Sequence, residues 1–337
     1  MNGGRAAGRG PGLLPGLRRA APLLGFGLMV AFFAWQLPDT FLTARNLLNV
    51  SQQLSMLAVV AAGMTVVMAT GDFDLSVGSA ASLAGIVAAS LFASGQAVWV
   101  GLCAALAVGL AGGVVNGLLV TVIGILPFVA TLGTLTILSG LAFFVADGRT
   151  IFGRDIPEGF SGFARAGVPL DAIGLEGLRL PLLTLVAAGA VVFAWVLLER
   201  TVVGRRLTAI GSNREAAHQV GIRVAALRTF AFALAGLAAA GAGLMYAARV
   251  ASANPVQGSG LMLDAIAAVF LGMTLSRDGR ARVPGTILGV LLLGLLDNGL
   301  TQMRVDSYVR EMLVGAVIIA AVASSAAQRG RAGAGAA

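Results

Sequence analysis

Two acidic residues lie between long apolar runs of the chain. Asp72 and Asp74 stand in the stretch TGDFDLSVGS, which separates two segments that each read as membrane helices. An aspartate at the centre of a membrane helix costs about 2.5–3.5 kcal/mol on insertion scales. Acids in such places either carry protons or ions, or accept hydrogen bonds from the free N–H groups at the start of a helix.

The residues after this pair favour the second role for Asp74. LSVGSAASLAGIVAAS reads as a helix, with Asp74 at its N-cap and Ser76 in its first turn. A helix start at membrane depth is tolerated only inside protein or beside water. We therefore expect Asp74 to hold a broken helix near a translocation pathway, and Asp72 to face water and to tolerate Gly or Asn.

A second polar stretch, SNREAAHQVGI, predicts a short helix in a long polar loop. Ser212 or Asn213 can cap it, Glu215 in its first turn faces the positive helix end, and Gly221 can end it. The residues alone leave two interpretations open: a solvated loop helix, or a helix that binds in a groove on a partner protein.

Polar residues inside other apolar runs are further candidates for a pathway. Each can face a solute or bond to a neighbouring helix, and the second role is the commoner one. Asp264 begins its run and could cap it. The candidates are Asn116, Thr131, Thr134, Asp264 and Asn298.

Several chemistries are excluded by composition. All 23 basic residues are Arg, so the chain lacks the Lys that a P-loop needs, and any ATPase must be another polypeptide. His218 is the single His and Cys103 the single Cys, which excludes a multi-His metal site and a disulfide. No H-E-x-x-H or G-x-S-x-G stretch is present, so we expect no enzyme. The net charge of +8 follows membrane topology rather than nucleic-acid binding.

The elements that must position these residues are membrane helices. The chain of 337 residues is 58% hydrophobic and 11% charged, with apolar stretches of about 20 residues along its length. We predict an all-α polytopic membrane protein with about ten spans, some broken, in a permease domain at 20–326 between disordered cytoplasmic tails at 1–19 and 327–337. The predicted spans are 20–37, 54–70, 75–94, 97–123, 127–146, 180–198, 226–248, 262–276, 284–300 and 309–326.

Arginine placement predicts the orientation of these spans. With both termini inside, 15 of the 23 Arg residues lie on the cytoplasmic side, including those of the 199–228 loop. The 147–180 loop is then external. Small residues within the spans suit close helix packing; they include Gly109, Gly112, Gly113, Gly236, Gly241 and Gly243.

Several motifs, in order, resemble the ribose/xylose/arabinose permease family of ABC importers. EAA-x-x-x-G at 215–221 is similar to the coupling-helix signature of importer permeases. GDFDLSVGS, NGLLVTVIGILPFVATLGT, SGLAFFVADGRTI, LDAIAAVFLG and PGTILGVLLLGLLDNGL resemble the family over residues 40–325. Asp72 departs from the family pattern, which has Gly there, and the 273–282 loop carries three Arg where the family is Gly-rich.

The resemblance implies one subunit of an ATP-driven importer in the bacterial inner membrane. Two copies would form a pore for a ribose-, xylose- or arabinose-like sugar, which a periplasmic sugar-binding protein delivers at 147–180. The chain would bind no cofactor, since ATP–Mg belongs to the partner ATPase, which would dock on a surface made of Asn213, Arg214, Glu215, Ala216, Ala217 and Gly221. The alternative is a stand-alone proton- or ion-coupled secondary transporter that uses the intramembrane acids.

Overall fold

The computed structural model describes residues 14–276, 279–316 and 319, and most of these are helical. The helices are α1 (Leu14–Gln36), α2 (Ala44–Ala69), α3 (Val77–Ala93), α4 (Val98–Leu118), α5 (Pro127–Val145), α6 (Glu158–Arg165), α7 (Leu182–Trp195), α8 (Val202–Ser212), α9 (Arg214–Gln219), α10 (Val224–Val250), α11 (Ser259–Leu275), α12 (Val283–Gln302) and α13 (307–316). A π-helical turn extends α4 over Leu119–Ile123, and another extends α7 over Val196–Arg200.

Two small antiparallel ribbons complete the structure. Strand β1 (Ile151–Phe152) pairs with β4 (Ser252–Ala253), with Ile151 opposite Ala253. Strand β2 (Gly167–Pro169) pairs with β3 (Arg179–Pro181), with Val168 opposite Leu180. Both ribbons involve the 147–180 loop, so this predicted external loop has ordered structure of its own.

Six of the described helical segments are long and apolar enough to cross a membrane. They are Ala44–Ala69, Val98–Ile123, Pro127–Val145, Leu182–Arg200, Val224–Val250 and Val283–Gln302. Three shorter apolar segments join them: Leu24–Gln36, Val77–Ala93 and Ser259–Thr274. The chain is thus a mainly helical, multi-pass membrane protein, while the count of ten spans and the inward placement of both termini stay predictions.

Some predicted boundaries differ from the structure. Helix α1 already begins at Leu14, six residues before the first predicted span, and the rest of the predicted N-terminal tail lies outside the described residues. The predicted tail at 327–337 and half of the last predicted span, 309–326, also lie outside them. Helix α11 begins at Ser259 after Gly258, so the expectation that Asp264 starts and caps this helix is wrong.

Two halves of the bundle repeat one pattern. Helix α2, of 26 residues, leads through an irregular segment to α3, of 17 residues; α10, of 27 residues, leads through another to α11, also of 17. The second irregular segment meets α3, where the Ser82 hydroxyl accepts a hydrogen bond from the N–H of Gly258 at 2.9 Å. Broken helices that meet inside a bundle are a common device of transporters.

Close backbone contact holds α10 at the centre of the bundle. It packs on α4, where a methyl group at Gly113 would lie 2.8 Å from the Cα of Ala233 and would also overlap the carbonyl oxygen of Phe232. Gly109 and Gly236 touch each other in the same contact, and Gly243 touches Ala81 of α3. Gly112 makes only ordinary contact and Gly241 faces open space. The packing role predicted for the small residues therefore applies to some of them.

The loops gather at two ends of the bundle. At one end, a Cβ atom placed on Gly71 would lie 3.6 Å from the Cα of Gly211. A cleft at the same end is lined by residues that include Arg205 and Ala281. At the other end lie the β1–β4 ribbon and α6, whose Phe160 ring is 5.0 Å from that of Phe92. We call the first the α9 end and the second the ribbon end. The two long polar loops of the sequence thus lie at opposite ends.

Candidate functional site

Asp74 organises the irregular turn that precedes α3. Its Oδ1 accepts hydrogen bonds from the Ser76 N–H at 2.9 Å, the Ser76 hydroxyl at 2.6 Å and the Asn116 amide at 3.3 Å. Helix α3 begins at Val77 with Ser76 as its N-cap residue, and Ser76 makes no side-chain capping bond. The prediction that Asp74 is the N-cap is therefore corrected: Asp74 holds the turn before the cap.

Asn116 of α4 and Thr134 of α5 complete a buried polar cluster around this turn. The Asn116 amide also donates to the Ser76 hydroxyl at 2.8 Å, and the Thr134 hydroxyl donates to Asn116 Oδ1 at 2.6 Å. All four side chains, which we call the Asp74 cluster, are buried. Asp74 Oδ2 is buried too, and within the described structure it has no hydrogen-bond partner. The cluster thus ties three helices together and leaves one carboxylate oxygen unsatisfied.

Asp72 is buried in an ion-pair network, so the expectation that it faces water is wrong. Its side chain is 1% exposed, and its two carboxylate oxygens accept hydrogen bonds from Nε and Nη2 of Arg228, at 2.6 and 2.8 Å. Arg214 Nη2 donates to its Oδ1 at 3.1 Å, and the Thr70 hydroxyl donates to its Oδ2 at 3.0 Å. Arg228 is itself 6% exposed. Loss of Asp72 alone would leave this Arg buried without a counter-charge, which costs about 3–5 kcal/mol.

Helix α9 forms a short projection at the α9 end. Asn213 caps it by accepting from the Ala216 N–H at 3.0 Å, and Gly221, at φ +79°, ends the chain reversal after it. Of its six residues, Ala217 is buried and the other five are exposed. Of the two predicted caps, Asn213 is the one used. Glu215 lies in the first turn, as predicted.

Of the remaining candidates, Thr131 touches the Asp74 cluster through its carbonyl, which accepts from the Thr134 hydroxyl at 3.1 Å, whereas Asn298 and Asp264 lie on α12 and α11. Thr131 is buried, but its hydroxyl donates to the Pro127 carbonyl of its own helix at 2.8 Å. Asn298 of α12 exchanges hydrogen bonds with Asn46 of α2, at 2.9 and 3.2 Å. Asp264 is half-buried in α11. Among the described residues, no group of three or more His, Cys, Asp or Glu side chains could hold a metal ion.

Comparison with known proteins places this geometry in a family. Residues 46–322 match the family described as the permease component of the branched-chain amino acid transport system. This match covers nearly all of α2 and all later helices, including α9, together with the Asp74 cluster, and leaves out α1. The chain belongs to this permease family. It is a transporter subunit and not an enzyme.

Similar curated proteins are sugar import permeases. The permease is 39% identical to the ribose import permease protein RbsC of Bacillus subtilis (strain 168), over 91% of this chain and 92% of that protein. It is 34% identical to the galactose/methyl galactoside import permease protein MglC of Escherichia coli (strain K12), over 88% and 90% of the two chains. It is 32% identical to the L-arabinose transport system permease protein AraH of the same strain, over 84% and 83%. No solved structure matches the chain.

Arg228 belongs to the permease's site, and no sequence motif predicted it. It is the single charged residue in the first 25 residues of α10, and Asp72 is one of the two acidic residues between the apolar runs of α2 and α3. Opposite charges in two apolar regions of a chain are a signal for a buried pair, because neither charge is tolerated there alone. The local sequence around each charge does not name the partner.

Proposed function

We propose that the permease forms the translocation pathway of an ATP-driven importer for a monosaccharide. The observation that carries the proposal is α9, a capped helix with five exposed residues that projects from the α9 end. A capped, exposed helix at a loop end suits insertion into a groove on a partner protein. We propose that this partner is a separate ATPase chain that holds ATP–Mg, since this chain has no Lys for a P-loop.

The relatives support a sugar as the solute. Their names specify ribose, galactose or methyl galactoside, and L-arabinose. The Asp74 cluster contains hydroxyl and amide groups of Ser76, Asn116 and Thr134, which bond to one another in this structure and are of the kinds that bond to sugar hydroxyls. We propose that the sugar passes beside this cluster, after a binding protein delivers it at the ribbon end, and that two copies of the chain form the pore.

The proposed orientation places the α9 end in the cytoplasm of a bacterium and the chain in its inner membrane. The Arg-rich loops support this, as does Arg200, whose guanidinium lies 4.8 Å from the centre of the Trp195 ring at the end of α7. Trp and Arg are common anchors at a membrane surface. In a Cys103→Ser background, Glu176→Cys at the ribbon end should react with an impermeant thiol reagent added outside cells. If the Glu176→Cys variant reacted only with a reagent on the cytoplasmic side, the orientation would be the reverse of the one proposed.

Uptake into proteoliposomes tests the importer proposal. The full chain is reconstituted with a candidate importer ATPase and a candidate sugar-binding protein from the same organism, and uptake of labelled ribose, galactose, arabinose and leucine is measured with and without ATP. We expect ATP-dependent uptake of a sugar. Uptake by this chain alone, without an ATPase, would refute the proposal.

A matched pair of variants locates the ATPase contact. Ala216→Trp adds bulk to an exposed position of α9, whereas Ala172→Trp makes the same change at an exposed position of the ribbon end. We expect the first to weaken ATPase binding and abolish uptake, and the second to leave ATPase binding unchanged. Equal effects of the two variants would contradict docking at α9.

A second candidate function is a proton- or ion-coupled secondary transporter. The observation in its favour is the buried Oδ2 of Asp74, which has no hydrogen-bond partner among the described residues, because intramembrane acids mark proton and ion pathways. Uptake driven by a pH gradient in the absence of ATP would establish it.

A further inference from the structure

The irregular segment 70–76, between α2 and α3, connects two separate polar networks. Gly71 has φ +81°, which lets the chain leave α2 sharply and return toward α3. Asp72 then points into one network and Asp74, two residues later, into the other. The segment is therefore bonded on one side to residues near α9 and on the other side to the Asp74 cluster.

The first network contains two different kinds of Arg contact. Arg228 holds Asp72 through two nitrogen atoms, and both side chains are buried, at 7% and 1% exposure. Arg214 holds it through one nitrogen atom at 3.1 Å, and the Arg214 side chain is 49% exposed. The Arg228 contact fixes the segment to α10, whereas the Arg214 contact joins the segment to the first residue of α9.

The second network continues the connection into the helices of the bundle. Asp74 binds Asn116 of α4, and Asn116 in turn accepts from Thr134 of α5. A displacement of α9 that moves Arg214 therefore acts on Asp72, and through the short backbone to Asp74 it acts on the contact between α3, α4 and α5. Hydrogen-bonded and ionic chains of this kind can carry coupling between two sites.

We propose that Asp72 and Arg214 are positioning residues that transmit movement of α9 to the Asp74 cluster; this rests on the proposed docking of an ATPase at α9. The ion pair keeps α9 and the 70–76 segment moving as one body while ATP is used. The competing account is that Asp72 merely neutralises buried Arg228. That account gives Arg214 no part in transport.

The two Arg contacts make opposite predictions for a change to Lys. A Lys ammonium can replace a single nitrogen contact, but it cannot reproduce the two parallel bonds of a guanidinium. We therefore expect Arg214→Lys to retain transport and Arg228→Lys to lower the stability of the fold. Arg214→Ala removes the link to α9 and leaves the buried Asp72–Arg228 pair intact.

The experiment measures uptake, ATP hydrolysis and ATPase binding separately in the reconstituted importer. Arg223→Ala, which removes an exposed Arg from the same loop, is the control. For Arg214→Ala we expect the amount of sugar transported per ATP to fall by about fivefold or more, in the usual range of coupling between sites. Arg214 lies in the predicted docking surface, but its guanidinium is bound to Asp72, so we expect the dissociation constant for the ATPase to be unchanged. Arg214→Lys and Arg223→Ala should keep the wild-type ratio.

Several results would overturn the inference. An unchanged ratio of sugar to ATP in Arg214→Ala would show that the ion pair transmits nothing. Weaker ATPase binding by Arg214→Ala would show that Arg214 acts as a docking residue instead. Failure of the wild-type chain to bind the ATPase would instead refute the proposed function, so the two failures are distinguishable.

Discussion

Substitution of Asp74 by Asn should leave the folded permease at least as stable as the wild type. All three donors to Asp74 converge on Oδ1, while Oδ2 is buried and has no partner within the described structure. An Asn side chain can place its oxygen at the Oδ1 position and keep all three bonds. Its neutral amide is also cheaper to bury than a carboxylate with one unpaired oxygen.

Substitution by Ala should have a large effect, which follows from the bonds that it removes. The Ser76 N–H and the Ser76 hydroxyl would both lose their acceptor inside the protein. The Asn116 amide would keep its bond to the Ser76 oxygen at 2.8 Å. Each buried group left unsatisfied costs about 1–3 kcal/mol, and the NH2 group that the Asn variant buries at the unpartnered Oδ2 position offsets part of the difference between the two variants. We expect Asp74→Ala to be about 2–4 kcal/mol less stable than Asp74→Asn.

Reversible unfolding in mixed detergent and SDS micelles, followed by circular dichroism, measures these differences. Asp155→Asn, at an exposed position of the 147–180 loop, is the control for the change of charge. The reasoning fails if Asp74→Asn is destabilised by more than about 1 kcal/mol, because Oδ2 would then have a partner that an amide cannot replace. Uptake adds a second criterion: a stable Asp74→Asn permease that has lost all transport would favour the proton-coupled alternative.

Two further predictions concern helix contacts. Gly113→Ala should be about 1–3 kcal/mol less stable than Gly112→Ala. Both substitutions gain the same helix propensity, but only the methyl group at Gly113 overlaps the backbone of Phe232. Equal stability of the two variants would contradict this close contact. Asn298→Ala breaks the reciprocal bonds to Asn46 and should cost about 1–2 kcal/mol, with uptake retained; loss of uptake in a stable variant would place Asn298 in the pathway.

The sequence by itself determined the class of the protein and its local structure. Apolar stretches long enough to span a membrane appear directly in the residue order, as does the lack of a P-loop Lys. A cap of α9 at Ser212 or Asn213 and a turn at Gly221 after it were also predictable, because capping and left-handed turns involve neighbours within a few residues. Features of this kind depend on spacing along the chain.

The tertiary structure alone decided what the acidic residues do. Asp72 pairs with Arg228, which is 156 positions away, and Asp74 bonds to Asn116, which is 42 positions away. An isolated Asp between apolar runs is equally compatible with a water-filled pathway and with a buried ion pair, since each satisfies its charge. Packing of α10 against the end of α2 brings the Arg228 guanidinium to Asp72 and excludes water there, and no local pattern around either residue encodes that meeting.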